Sequence, residues 1–243
     1  MSEVLKKLGD KFFLVGVAHV LPKSVREVED VITKERPDVV AVELCPARYA
    51  ALIKKGNRTS PLDAMRARPR SFLMESMLHL LQKKFSRQTG MPAGEEMLVA
   101  IRHARRVGAR IELIDQPVEI TLHRLMMRMG LREKLRLFGE MLVSLMPVGG
   151  HFELDKLTEE HVVEHLLKEL KHASPTSYEV LIQERDAHMA SKLAMLLSED
   201  LKVVGVVGAG HVPGIYNRIR ESMEKNWRIN FEYQLNSQLS ETF

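Results

Sequence analysis

Short runs of uninterrupted apolar residues punctuate a chain whose other hydrophobic positions recur at helical spacing. Phe12-Phe13-Leu14-Val15-Gly16-Val17, the stretch from Asp38 to Leu44, and Val203-Val204-Gly205-Val206-Val207 have the length and β-branched content of strands buried on both faces. Between the first two, Val25, Val28, Val31 and Ile32 mark one face of a helix that starts from a Ser24 cap and runs to about Glu35, where Pro37 stops it. A strand at 12–20, that helix and a strand at 38–44 make a βαβ unit, so the two strands are expected as a parallel pair. A third strand is expected at 109–115 after a helix at 94–107 that Gly108 ends. Further helices are expected at 71–87, 118–129, 131–146, 158–172, 176–197 and 213–224, and an edge strand at 227–235. The pattern predicts an α/β protein: a mainly parallel central sheet flanked by helices, with a helical insertion at about 118–200 between the third and last core strands. The whole of 1–243 is read as a single domain.

Composition narrows the class. With 243 residues, 45% of them hydrophobic and 28% charged, the chain has the material for one sizeable core and the balance of an ordinary globular protein. Aromatic residues make up 5% against 14 methionines, so that core must be mostly Leu, Val, Ile and Met. A formal charge of +4, with acids interleaved among the basic clusters and no recognition motif, argues against a nucleic-acid surface. The single Cys45 excludes an intrachain disulfide and a cysteine-based zinc site, and fits a reducing compartment. Lysines ahead of the Phe12 run give it a faint likeness to a secretion signal. No small-x-small cleavage site follows, and the run is read as a strand. No stretch approaches the ~18 apolar residues that span a bilayer. The expected setting is the cytoplasm, or the soluble domain of a membrane protein.

Two of the apolar runs end alike. Gly16-Val17-Ala18-His19 and Gly208-Ala209-Gly210-His211 are both Gly-x-x-His, each followed by Val. The glycines are expected to let the backbone bend sharply where the strand ends. Ligands bind outside the carboxyl edge of open parallel sheets, so these two corners can set two imidazoles side by side. Glu43 and Asp115 fall at the carboxyl ends of the other two strands, where a carboxylate is costly unless paired, protonated or bound to a metal. Two imidazoles and one carboxylate with an open position suit a hydrolytic Zn, Mn or Co ion, which lowers the pKa of bound water toward ~7. Each residue also has a plainer reading: a strand-end histidine held by hydrogen bonds, Glu43 paired with Arg48, Asp115 capping the helix after Pro117.

Glu184-Arg185-Asp186 interrupts a helix that Tyr178, Leu181, Ile182, Met189 and Leu193 mark as buried. If the triplet is not simply an exposed charge run, it needs partners, and Arg185 suits a carboxylate of substrate or of Glu43. A rival motif, His161-Val162-Val163-Glu164-His165, matches His-x-x-Glu-His. Val162, Val163, Leu166, Leu167 and Leu170 define the apolar face of its helix and leave both histidines on the polar side.

Taken in order, Gly16 to His19, Val40 to Arg48, Gly94 to Met97, Leu113 to Pro117, Thr121 to Arg124, Glu184 to Asp186 and Val206 to His211 resemble the TraB/PrgY family, which is related to the TIKI proteins. The likeness covers nearly the whole chain. It implies an α/β fold like that of the erythromycin esterases and the haem-binding ChaN-like proteins, with both Gly-x-x-His corners in one site. TIKI proteins are metal-dependent proteases, and PrgY-type proteins limit a secreted peptide pheromone. The resemblance therefore implies that His19 and His211 hold a divalent ion (Mn, Co or Zn), with Glu43 and Glu95 as carboxylate partners, one completing the site or acting as general base. It further implies that Arg185 stabilises charge, and that Arg48 and Arg124 bind substrate or orient those acids. Gln116 stands where the family's Arg is expected. The expected activity is metal-dependent hydrolysis of a peptide or protein. The opposing expectation is a signalling module that sequesters a peptide without turnover. A haem-binding role rests on fold analogy alone. Many members carry C-terminal membrane helices, none of which is read in this sequence. A homodimer is compatible with each reading.

Overall fold

The computed structural model describes residues 5–17, 22–53, 95–130, 133 and 159–225, with the side chains of 22–25, 95 and 159–162 set aside. His19, the helices expected at 71–87 and 131–146, and the edge strand expected at 227–235 lie outside the described residues, as do the side chains of Glu95 and His161. The described strands are β1 (Leu5–Leu8), β2 (Phe12–Val17), β3 (Val39–Val42), β4 (Arg110–Leu113) and β5 (Val203–Gly208). They form one sheet in the order β1-β2-β5-β3-β4. β1 runs antiparallel to β2, and the other neighbours are parallel.

That order follows from side-chain chemistry. β5, made only of Val and Gly, has no polar side chain to solvate and takes the middle, buried between β2 and β3. β4 reads Arg-Ile-Glu-Leu and β1 reads Leu-Lys-Lys-Leu, and their charges suit the two edges. The expected pairing of the first two core strands is thereby corrected. β2 and β3 are parallel, but β5 lies between them and pairs with both, Val15 and Val42 each opposite Val206. A local βαβ reading cannot foresee a strand that arrives from the far end of the chain. β1 is also absent from the expectation: four residues with two lysines carry too little alternation to read as a strand. It turns into β2 through Gly9, whose φ of 59° favours glycine.

The helices are α1 (Pro22–Glu35), α2 (Pro46–Ile53), α3 (Glu95–Val107), α4 (Val118–Arg128), α5 (Glu159–Ala173), α6 (Pro175–Tyr178), α7 (Glu184–Ser198) and α8 (212–225). α1 begins at Pro22, so Ser24 lies inside it rather than capping it. The long helix expected at 176–197 is divided: a π turn over Glu179–Gln183 joins α6 to α7. The helical block α4 to α7 does separate β4 from β5. Among the described residues no helix is long and apolar enough to cross a membrane.

Alternation along the strands divides the core in two. Phe13, Val15, Val40, Val42, Val204 and Val206 meet Val28, Ile32, Met97 and Ile101 of α1 and α3 on one face. Phe12, Leu14, Val39, Ala41, Val203 and Val207 meet Met189, Leu193, Ile215 and Ile219 of α7 and α8 on the other. The helix after β2 therefore covers one face and the helix after β5 the opposite face, although the two strands are neighbours. Their carboxyl ends flank a crevice of the kind where ligands bind.

Packing against β5 leaves no slack. A Cβ on Gly205 would lie 2.9 Å from Leu14 Cδ1 and 3.6 Å from Leu193 Cδ2, in a fully buried layer. Gly205→Ala should cost ~1–3 kcal/mol of unfolding free energy by overpacking, read by chemical denaturation. Leu14→Val in the same chain should recover part of that loss; an unchanged denaturation midpoint in Gly205→Ala would refute the tight layer.

Candidate active site

Three neighbouring parallel strands deliver polar side chains to one edge. Glu43 follows the last residue of β3, Asp115 lies two residues past β4, and His211 ends the 3-10 turn after β5. Each is less than a tenth exposed. The first turn of α7 supplies Arg185 and Asp186 to the same edge.

Arg185 is the hub. Its Nε donates to Asp115 Oδ1 at 2.9 Å and its Nη2 to Asp115 Oδ2 at 3.0 Å, a two-point grip that the planar fork permits. Nη2 also donates to Glu43 Oε1. Nη1 donates to the carbonyl of Leu181, in the π turn, at 3.2 Å and faces His211 Nε2 at 3.1 Å. Arginine has no acceptor, so Nε2 must accept in that contact. The other ring nitrogen, Nδ1, then carries the hydrogen and donates to Asp186 Oδ1 at 2.6 Å. A protonated ring would instead present an N–H to Glu43 Oε1, 3.5 Å away. Glu43 Oε2 accepts from the Gly208 amide at 2.6 Å.

Burial alone would raise the Glu43 carboxyl. The charge His211 carries when its ring is protonated, together with Arg185, the Gly208 amide and Arg48, outweighs it and holds the carboxyl down at about 2. Burial works against the Arg185 charge too, but Glu43 and Asp115 prevail and push its pKa upward. Asp186 shows the opposite balance: burial raises its carboxyl, and His211 only partly offsets this.

Two glycines are explained by room. Gly208 has φ −59° and ψ 140°, open to any residue, so the expected sharp bend is not its reason. A Cβ there would stand 3.2 Å from Glu43 Oε2. At Gly214 a Cβ would meet Asp186 Oδ2 at 1.9 Å.

The sequence-derived candidates divide accordingly. His211, Glu43 and Arg185 meet. His19 and the Glu95 side chain lie outside the described residues; Val17, the last residue described before His19, pairs with Gly208. Arg48 Nη1 donates to Asp115 Oδ2 at 3.0 Å rather than to Glu43. Arg124 lies apart, donating to Glu184 Oε2 at 2.9 Å beside Arg128. Asp115 is not the cap of α4 and serves Arg185, while its Oδ1 also accepts from the Gln116 amide. Gln116 Nε2 donates to Thr121 at 2.9 Å. His165 is exposed on α5, as is Leu166, which was assigned to its apolar face.

Asp186 and the π turn were missed. The signal for Asp186 was Gly214, an otherwise costly glycine in the first turn of a helix, three residues past His211. No residue type marks the π turn.

The residues described do not fit a divalent ion as they stand. Among them no group of three or more His, Cys, Asp or Glu side chains is placed to hold one. The ring nitrogen that would ligate it faces a guanidinium nitrogen at 3.1 Å.

The sequence profile of the TraB/PrgY/gumN family matches residues 4–230. The chain belongs to that family. An uncharacterized protein of Methanocaldococcus jannaschii is 38% identical over 216 residues, covering 86% of this chain and 53% of its own length. The human TraB domain-containing protein is 26% identical over 261 residues, covering 96% of this chain and 67% of its own, and the bovine one is 27% identical over 262 residues. The chain thus spans about half of the archaeal relative and two thirds of the mammalian ones. The matched region of this TraB-family chain includes every strand among the described residues and the whole charged cluster.

Two measurements probe the geometry. Gly214→Ala should displace Asp186 and destabilise the chain, and Asp186→Ala should relieve it. The double variant should be clearly more stable than the sum of the single losses predicts, because the clash needs both groups. Additive losses would place Asp186 elsewhere. Glu43, held at about 2 against an ordinary 4.5, contributes stability that is full above pH 4.5 and lost as pH falls toward 2. That contribution is on the order of 3 kcal/mol. Asp186 acts with the opposite sign, so the difference between wild type and Glu43→Gln isolates the Glu43 share. Denaturation free energies of the two proteins should converge between pH 4.5 and 2, whereas a constant gap would contradict the assignment.

Proposed function

We propose that this TraB-family chain is a hydrolase of peptides or proteins whose acid–base centre is the cluster of Asp186, His211, Glu43 and Arg185. The observation that carries the reading is the Asp186–His211 contact of 2.6 Å, which leaves Nε2 as the ring atom turned into the cluster.

In this proposal His211 Nε2 takes a proton from the water that attacks a substrate carbonyl and returns it to the amine nitrogen that leaves as the C–N bond breaks. Asp186 holds the ring in the required tautomer and faces the positive charge that forms. Glu43, kept ionised by its neighbours, stands 3.5 Å from Nε2 and stabilises the imidazolium. The Arg185 Nη1 released from Nε2 is then free to face the oxyanion. Bonds of this kind tighten and exchange on substrate binding, so the resting contact does not disqualify the base. The metal-dependent form of the reading further needs His19 and a place for the ion, and no step above passes through one.

One observation favours the opposing, non-catalytic reading, in which the same pocket only holds a peptide. Every Arg185 donor group already has an acceptor within the chain. The two readings separate in one experiment. Wild type and His211→Gln are incubated with a library of synthetic peptides, and products are read by mass spectrometry. Hydrolysis by wild type, with kcat reduced ~10²- to 10⁴-fold in His211→Gln and KM little changed, supports the acid–base role. Peptide retained at one per chain with no product, or equal turnover by both proteins, overturns it.

A further inference from the structure

We propose that the resident cation of this cluster is Arg185 itself, and that a divalent ion can bind there only by displacing its guanidinium. The inference concerns the same cluster as the hydrolase reading but does not need turnover.

The acceptors gathered here are those a hard or borderline metal ion would choose: carboxylate oxygens of Glu43 and Asp115, a backbone carbonyl and an imidazole nitrogen. All of them converge on one side chain. Asp115 gives both oxygens to it, Glu43 gives one and commits the other to the Gly208 amide, and His211 turns its free ring nitrogen toward it. An ion bound to Nε2 and to Glu43 would stand ~2 Å from each donor atom. The guanidinium, with Nη1 3.1 Å from Nε2 and Nη2 bonded to that carboxylate, leaves no such space, and two cations that close would repel.

Orientation makes the point sharper. His211 is held through Nδ1 by a carboxylate, the arrangement that normally aims a metal-ligating imidazole. The ring is aimed as a ligand would be, and the group at its focus is an arginine tethered to α7. Among the described residues, a neutral side chain in place of Arg185 would leave Arg48 as the arginine or lysine bonded to these acids, and it bonds Asp115 rather than Glu43. Such a site has an excess of negative charge and a free imidazole lone pair, and so favours a divalent ion.

The experiment titrates the full 243-residue chain with Co²⁺ and with Mn²⁺, following the visible spectrum of Co²⁺ and the heat of binding. Wild type should take up no stoichiometric ion at micromolar concentration. Arg185→Met, unbranched and similar in reach, should bind one ion per chain at least tenfold more tightly than wild type, and His211→Ala in that background should abolish the gain. A folded Arg185→Met that gains nothing overturns the proposal. So does a wild-type chain that binds one Co²⁺ and loses it on His211→Ala, a result that stands even if Arg185→Met does not fold. Such a chain could still hydrolyse peptides, so this outcome would remove the resident-cation reading and leave the hydrolase reading intact. Conversely, a wild type without turnover and without ion leaves the resident cation in place.

Discussion

Arg185 ties the carboxyl edge of the sheet to α7. Its guanidinium bridges the ends of β3 and β4 through Glu43 and Asp115, touches the histidine that ends the turn after β5, and closes onto the carbonyl of Leu181 in its own helix. Burying so many charges costs several kcal/mol per ion, and the hydrogen-bonding of all of them offsets it. The corollary is an asymmetry. The network adds little net stability while complete, but loss of one member exposes the desolvation cost of the rest, typically ~3–5 kcal/mol. The edge of the sheet that carries the charged cluster is thus also a place where the fold is unforgiving.

Sheet and site depend on one another through strand order. β5 must lie centrally because it has nothing polar to offer water, and its central place brings Gly208 and His211 between the ends of β2 and β3. Helices covering opposite faces of neighbouring strands open the crevice there. The apolar content of six valine and glycine positions and the position of one imidazole are therefore consequences of the same arrangement.

Much of this was legible before any coordinates. Continuous apolar runs marked β2, β3 and β5, and the charge-bearing strand ends marked Glu43, Asp115 and His211, because a buried carboxylate or imidazole announces a partner. Arg185 was legible for the same reason, a charge inside an apolar helix. What escaped had no local signature. The pairing of β5 between β2 and β3 is a contact across nearly the whole chain, with no periodicity to betray it. β1 is too short and too basic to alternate. Asp186 was legible only as part of a charge triplet, and its close approach to α8 only through Gly214, since a glycine's meaning lies in what approaches it. Arg48 and Arg124 show the limit from the other side: their residue type suited several acids, and only the fold decides that Arg48 serves Asp115 and Arg124 serves Glu184.

The π turn at Glu179–Gln183 has a consequence for how this helix tolerates change. A wide turn holds one residue more than an α-helical turn over the same rise, and each residue advances an α-helix by about 100°. Removing a single residue there would restore regular winding and leave the residues before it close to their present bearing, whereas removing one from a regular turn would swing them by that angle. Adding one elsewhere in the helix could not be absorbed in the same way. The irregular turn thus acts as a phase adjuster, letting the approach from α5 and α6 be set by packing while Arg185 and Asp186 keep their own bearing on the sheet.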